Sequence, residues 1–220
     1  MATYLVVATV FLTLALVGTI LKIRGSIEGE YFKVFSTLFL FTYVLVCTTT
    51  IPTISTILLA IGLFIINIGD FFLGIMMHYN KNKERTFGIG LACFLLAYVL
   101  IIIAIVLHAS NIIFNPWLLI PSAIVVLSSI NNYICFDKKG KNALPVAIYI
   151  GIMTILFILS LFVNNTLLII AVALLYLGDQ SLGYRTFCSQ WEKMNYALSE
   201  SLVLVPYYLG LALLVLALLF

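Results

Sequence analysis

ISTILLAIGLFIINIGDFFLGIMM, residues Ile54–Met77, decides the fold. It is an unbroken apolar run whose one ionisable side chain is Asp70. About 20 such residues cross the hydrocarbon core as a helix. Lipid leaves the backbone only helices or closed barrels, and the alternating pattern of a barrel strand is absent here. Seven more runs of the same character flank it: Thr3–Leu21, Phe32–Thr50, Phe87–His108, Pro116–Phe136, Leu144–Val163, Thr166–Tyr184 and Leu202–Leu219. Of the 220 residues, 64% are hydrophobic and 9% charged. A soluble domain carries roughly 25% charged residues, so most of this surface must face lipid. The reading is an all-α polytopic membrane protein of about eight transmembrane helices in one transmembrane domain, 1–220. No Lys or Arg precedes the first run, and it is longer than a secretory signal core, so it counts as a span.

The basic residues fix an expected orientation. All 11 fall on one side of such a layout: Lys22, Arg24 and Lys33; Lys81, Lys83 and Arg85; Lys138, Lys139 and Lys141; Arg185 and Lys193. The connections around Pro52, Asn111 and Asn164 carry none. Positive-inside bias then puts the basic loops in the cytoplasm and both termini outside, in the cell membrane. A net charge of +3 gives no reason to expect a nucleic-acid partner.

A short pattern recurs. Gly69-Asp70-Phe71-Phe72-Leu73-Gly74 and Gly178-Asp179-Gln180-Ser181-Leu182-Gly183 both read G-D-x-x-L-G, with the aspartates 109 residues apart. One copy lies in the third span and the other in the seventh. Four spans separate equivalent points, which makes two parallel four-helix repeats, 1–110 and 111–220, the expected arrangement.

Asp70 and Asp179 are the candidate catalytic residues. An ionisable side chain inside a span costs about 2.5–3.5 kcal/mol on insertion scales and marks a functional site by default. For either alone, a structural hydrogen bond between helices is the competing explanation. Two in matching motifs point to chemistry. Two carboxyl groups in an apolar site can hold one acid and one base near neutral pH, which suits acid–base hydrolysis without a metal or cofactor. Asn67 shares a helix face with Asp70, and Tyr176 with Asp179; either can hydrogen-bond a carboxylate. Lys33 opens the second span and can neutralise an aspartate or meet a lipid phosphate. Tyr98 and Tyr149 lie within spans, where a hydroxyl needs a partner. Lys33, Asn67, Tyr98, Tyr149 and Tyr176 are therefore the candidate substrate-binding residues. His78 and His108 sit at opposite membrane edges, and Cys47, Cys93, Cys135 and Cys188 are scattered, so no metal-ligand spacing is present. The polar stretch Tyr184–Leu202 is read either as an interfacial lid or as a passive connector.

These residues resemble the YhhN-like family, the lysoplasmalogenases. Four stretches carry the resemblance: Lys33-Val34 before the second span, Gly62–Gly74 followed by Phe87–Leu91 and Phe94, Pro145–Met153 with Tyr149, and Ala173–Phe187. Val34 stands where the family has Pro, and Tyr98 where it has His. The resemblance implies hydrolysis of the vinyl ether bond of a lysophospholipid, giving a fatty aldehyde and a glycerophospho-head-group. Its partners would be that substrate and the surrounding membrane lipids. The alternatives are a proton-coupled transporter or lipid flippase using the same aspartates, or a lipid-binding member without catalysis.

Overall fold

The computed structural model describes residues 2–80, 82–109, 112, 115–137, 140–163 and 165–220. Lys81, Asn111, Lys138, Lys139 and Asn164, which entered the topology reading, lie outside the described residues. Among the described residues, eight helices are long and apolar enough to cross a membrane. They are α1 (Ala2–Ile23), α2 (Glu28–Thr50), α3 (Ile54–Tyr79), α4 (Lys83–His108), α5 (Leu119–Cys135), α6 (Ala143–Phe162), α7 (Thr166–Phe187) and α8 (Tyr196–Leu219). The chain is an all-helical integral membrane protein, as the apolar runs predict.

Side-chain caps begin α3, α5 and α7 at the ends without basic residues. Thr53, just after Pro52, forms a reciprocal capping box with Thr56 at the start of α3. Asn115 accepts from the Trp117 amide ahead of α5, and Asn165 from the Leu168 amide at the start of α7. Such side chains satisfy amides that the first turn leaves without partners. Within the spans, threonine hydroxyls bond back to their own helix. Thr9 donates to the Leu5 carbonyl, Thr13 to Thr9 and Thr42 to Leu38, each at 2.8 Å. In lipid this spares them an unsatisfied donor.

At the basic ends the helices run further than the apolar runs suggest. α2 begins at Glu28 rather than Phe32, α4 at Lys83 rather than Phe87, and α8 at Tyr196 rather than Leu202, while α7 continues to Phe187 rather than Tyr184. Hydropathy ends where the lipid ends, but the helix continues into the polar layer. Glu28 and Glu30 in the first turn of α2 favour it through the helix dipole. The expected long connector 184–202 shrinks accordingly. What remains is a 3₁₀ turn, Ser189–Lys193, tied down at both sides. The Ser189 amide donates to Asp137 Oδ1 at 3.0 Å, and the Trp191 indole donates to Ser199 Oγ at 2.8 Å.

The chain divides into two compact units, Met1–His108 with Leu218–Phe220, and Ala109–Ala217. In the first, α3 packs on α2 and α4, and α2 on α1. Ser55 Oγ donates across to the Ala104 carbonyl at 2.8 Å, tying α3 to α4 at the end away from the charges. In the second, α6 packs on α5 and α7. A Cβ on Gly210 would lie 2.9 Å from the Ala171 carbonyl oxygen, so α7 and α8 meet there nearly backbone to backbone.

Candidate functional site

Asp70 has no solvent exposure at all. It is the second residue of the first motif, near the basic end of α3. Lys33 from α2 reaches it, with Nζ 2.9 Å from Oδ1, and the lysine side chain is itself only 11% exposed. One turn earlier on α3, Asn67 fixes the approach. Its Nδ2 donates to the Val34 carbonyl at 2.6 Å and to Thr37 Oγ1 at 2.8 Å. Both amide protons of Asn67 thus go to α2, not to the aspartate it shares a face with. The effect is to pin the turn of α2 that carries Lys33 beside the turn of α3 that carries Asp70.

Beyond Asp70 the helix changes its winding. Phe72–Met76 is a π-turn, a form often found at functional positions. Gly74, the closing glycine of the motif, lies inside it. A Cβ there would overlap the Glu30 carboxylate, which occupies the notch the glycine leaves. Glu30 is bound on its other side by Lys22 of α1, Nζ to Oε1 2.6 Å, with both side chains 14% exposed. The opening glycine has a different neighbour: a Cβ on Gly69 would lie 2.8 Å from the Phe94 ring of α4. One end of the first unit therefore holds two nearly buried ion pairs on three helices, Lys22–Glu30 and Lys33–Asp70. Their charges sum to zero, as a low-dielectric site requires.

In the second unit Asp179 is also buried. Its motif glycines serve the same steric purpose. A Cβ on Gly178 would sit 3.0 Å from the Val203 carbonyl of α8, and one on Gly183 would be 2.6 Å from the Phe136 ring. Two polar clusters line the same helices. Ser129 Oγ lies 2.6 Å from Thr154 Oγ1 and 2.7 Å from the Tyr176 hydroxyl, joining α5, α6 and α7 at one point. Nearer the basic end, Asn132 Nδ2 donates to Gln180 Oε1 at 2.8 Å, and the Tyr184 hydroxyl donates to Asn132 Oδ1. Arg185 pairs with Glu200, whose residue is 1% exposed. The rings of Tyr184 and Trp191 stack with centroids 5.3 Å apart.

The structure thus brings three expected residues together in the first unit: Lys33, Asn67 and Asp70. Tyr98 is fully buried, with its ring 6.2 Å from Phe94. In the second unit Tyr176 bonds Ser129, and Tyr149 is half-buried on α6. His78 and His108 are exposed. Sequence reading missed Lys22–Glu30, Asn132–Gln180 and Arg185–Glu200. The available signal was an acid one turn before Lys33. An open apolar groove of about 390 Å³ runs between α1 and α2, lined by Leu14, Phe32, Phe35, Leu38, Phe39 and Thr42. It has room for an alkyl chain and no charged group.

Comparison with known families matches residues 30–218 to the YhhN family. The match takes in α2 to α8 with both aspartate motifs, and the chain belongs to that family. Comparisons with curated proteins and with solved structures give no match.

Proposed function

We propose that this chain hydrolyses the vinyl ether bond of lysoplasmalogens within the membrane, releasing a fatty aldehyde and a glycerophospho-head-group. The observation that carries the reading is Asp70: a wholly buried carboxyl, held by Lys33 at 2.9 Å, in a motif repeated around a second buried aspartate. Membership of the YhhN family supports it. A carboxyl group inside a span is expensive and needs a purpose.

The reaction needs a proton donor and a carboxylate. A protonated carboxyl group delivers its proton to the β-carbon of the vinyl ether, and the α-carbon becomes an oxocarbenium ion. Water adds to that carbon and loses a proton to the carboxylate. The resulting hemiacetal collapses: its hydroxyl gives up a proton, the bond to the glycerol oxygen breaks, and that oxygen is protonated. One water is consumed and both aspartates end as they began. The ion pair with Lys33 favours Asp70 for the carboxylate that steadies the cation and takes the proton from water. Asp179 is then the donor. Apolar walls hold the alkyl chain, and Tyr98, Tyr149 and Tyr176 remain proposed substrate contacts.

Asp70→Asn and Asp179→Asn should each abolish aldehyde release from a lysoplasmalogen in nanodiscs while the protein stays folded. Wild-type turnover in either variant removes that residue's role. Proton-coupled uptake into liposomes with no aldehyde formed would replace hydrolysis by transport. Positive-inside bias places the basic ends, and with them Asp70, at the cytoplasmic face. Labelling of Ser26→Cys by an impermeant thiol reagent from outside the cell would reverse that orientation.

A further inference from the structure

Two opposite faces of α5 follow the same spacing, and the chain fills only one of them. Ser122, Val125, Ser129 and Asn132 are buried, at steps of three, four and three residues. That face packs on α6 and α7, and its amide, Asn132, is bonded to Gln180 and Tyr184. On the other side Ile120, Ile124, Leu127, Asn131 and Ile134 follow steps of four, three, four and three. The four apolar members are each more than half exposed, and Asn131 is exposed too. Such steps are the a and d positions of a heptad, along which two helices interlock. Only 17% of this span is buried, the least among the eight described spans.

Asn131 distinguishes this face from an ordinary lipid-facing stripe. It lies four residues before the end of α5 at Cys135, about 6 Å inside it at 1.5 Å per residue. An asparagine side chain is too short to carry its amide over that distance. Lipid offers a carboxamide no hydrogen bond, and an unsatisfied one is costly there. Thr9, Thr13 and Thr42 solve this by bonding back to their own helix. The Asn131 side chain makes no hydrogen bond to a described residue.

We infer that the chain pairs with a second copy of itself along this face of α5, Asn131 against Asn131. Copies in one membrane share an orientation. A two-fold axis along the membrane normal therefore brings the equivalent helices together in parallel, each residue near its own mate. A carboxamide suits that symmetry because it both donates and accepts. Nδ2 of each copy gives a proton to Oδ1 of the other, and both amides are satisfied. A lipid chain can do neither. The heptad seam sets a crossing angle of about 20°, and an asparagine at one a position fixes the register. The pairing does not depend on the hydrolytic reading.

The test is dimerisation in a bilayer. Full chains carrying a donor or an acceptor dye are mixed in liposomes, and energy transfer is followed as added lipid dilutes them. Asn131→Leu should need about tenfold more protein per lipid to pair than wild type. Ile124→Ala/Leu127→Ala should also pair more weakly, through lost packing. Val126→Leu, a change at an exposed position off the seam, should pair like wild type. Asn131→Leu puts an apolar group where the single chain meets lipid, so its Tm as a monomer in excess detergent should not fall. That separates a lost interface from a lost fold.

Crosslinking reads the same face independently. With Cys47, Cys93, Cys135 and Cys188 replaced by alanine, Asn131→Cys and Ile124→Cys should each give a dimer when membranes are oxidised with copper phenanthroline. Val126→Cys should not. If the cysteine-free chain does not fold, the dilution experiment decides alone. A wild-type chain that is monomeric at every dilution, or Asn131→Leu pairing as tightly as wild type, overturns the inference. So does crosslinking through Val126→Cys equal to that through Asn131→Cys.

Discussion

Replacing Lys33 by methionine tests the buried charge directly. Asp70 is completely enclosed, and Lys33 holds its Oδ1 at 2.9 Å. Removing one partner of a buried pair typically costs about 3–5 kcal/mol. For a chain of this length each kcal/mol moves Tm by about 2–4 °C, so Lys33→Met should melt about 6–20 °C below wild type. Thermal unfolding of wild type and variant in one detergent reads the difference. Lys33→Met/Asp70→Asn, which removes both charges of the pair, should recover most of the loss. A Lys33→Met variant that melts with wild type, or a double variant no more stable than Lys33→Met, would refute the reasoning.

Two further outcomes follow from packing and hydrogen bonding. Gly74→Ala places a methyl group on the Glu30 carboxylate and should cost about 1–3 kcal/mol by overpacking; Glu30→Ala in the same chain should return part of it, and an additive pair in thermal unfolding would contradict the contact. Asn132→Leu strands the Gln180 carbonyl and the Tyr184 hydroxyl and should cost about 1–3 kcal/mol. Asn132→Leu/Gln180→Leu, with fewer stranded groups, should be milder, and a harsher double variant would show that the network is not what Asn132 supplies.

The spans were legible because hydrocarbon imposes a length and a polarity that no soluble fold shares. The two aspartates were legible for the same reason: a charge in such a run stands out. The partners were not. A helix that is apolar nearly all round does not announce which side faces its neighbour, so its rotation about its own axis is invisible in the sequence. Asn67 shares a face with Asp70, and that much the spacing gave. Whether its amide turns to the carboxylate or to α2 depends on where α2 crosses, and it turns to α2. Lys22 and Glu30 looked like ordinary residues of a polar connection, because the apolar run of α2 starts only at Phe32. Helical continuation back to Glu28 is what carries Glu30 into the bundle. The π-turn at Phe72–Met76 has no sequence signature at all, since it trades one backbone hydrogen-bond pattern for another.

The two motif copies show how far a shared pattern constrains a site. In both, the glycine before the aspartate lets the next helix close in: the Phe94 ring of α4 against Gly69, the backbone of α8 against Gly178. In both, the closing glycine leaves a notch for a residue from the basic end of another helix. The notch at Gly74 holds the Glu30 carboxylate, and the one at Gly183 holds the Phe136 ring. The pattern therefore specifies close packing around each aspartate and leaves the electrostatics to its neighbours. Around Asp70 those neighbours include two ion pairs, and around the Asp179 turn they include the Asn132–Gln180 bond, an aromatic cluster and, further along α7, the Arg185–Glu200 pair. The reaction proposed above gives the two aspartates different roles, and identical motifs alone do not assign them.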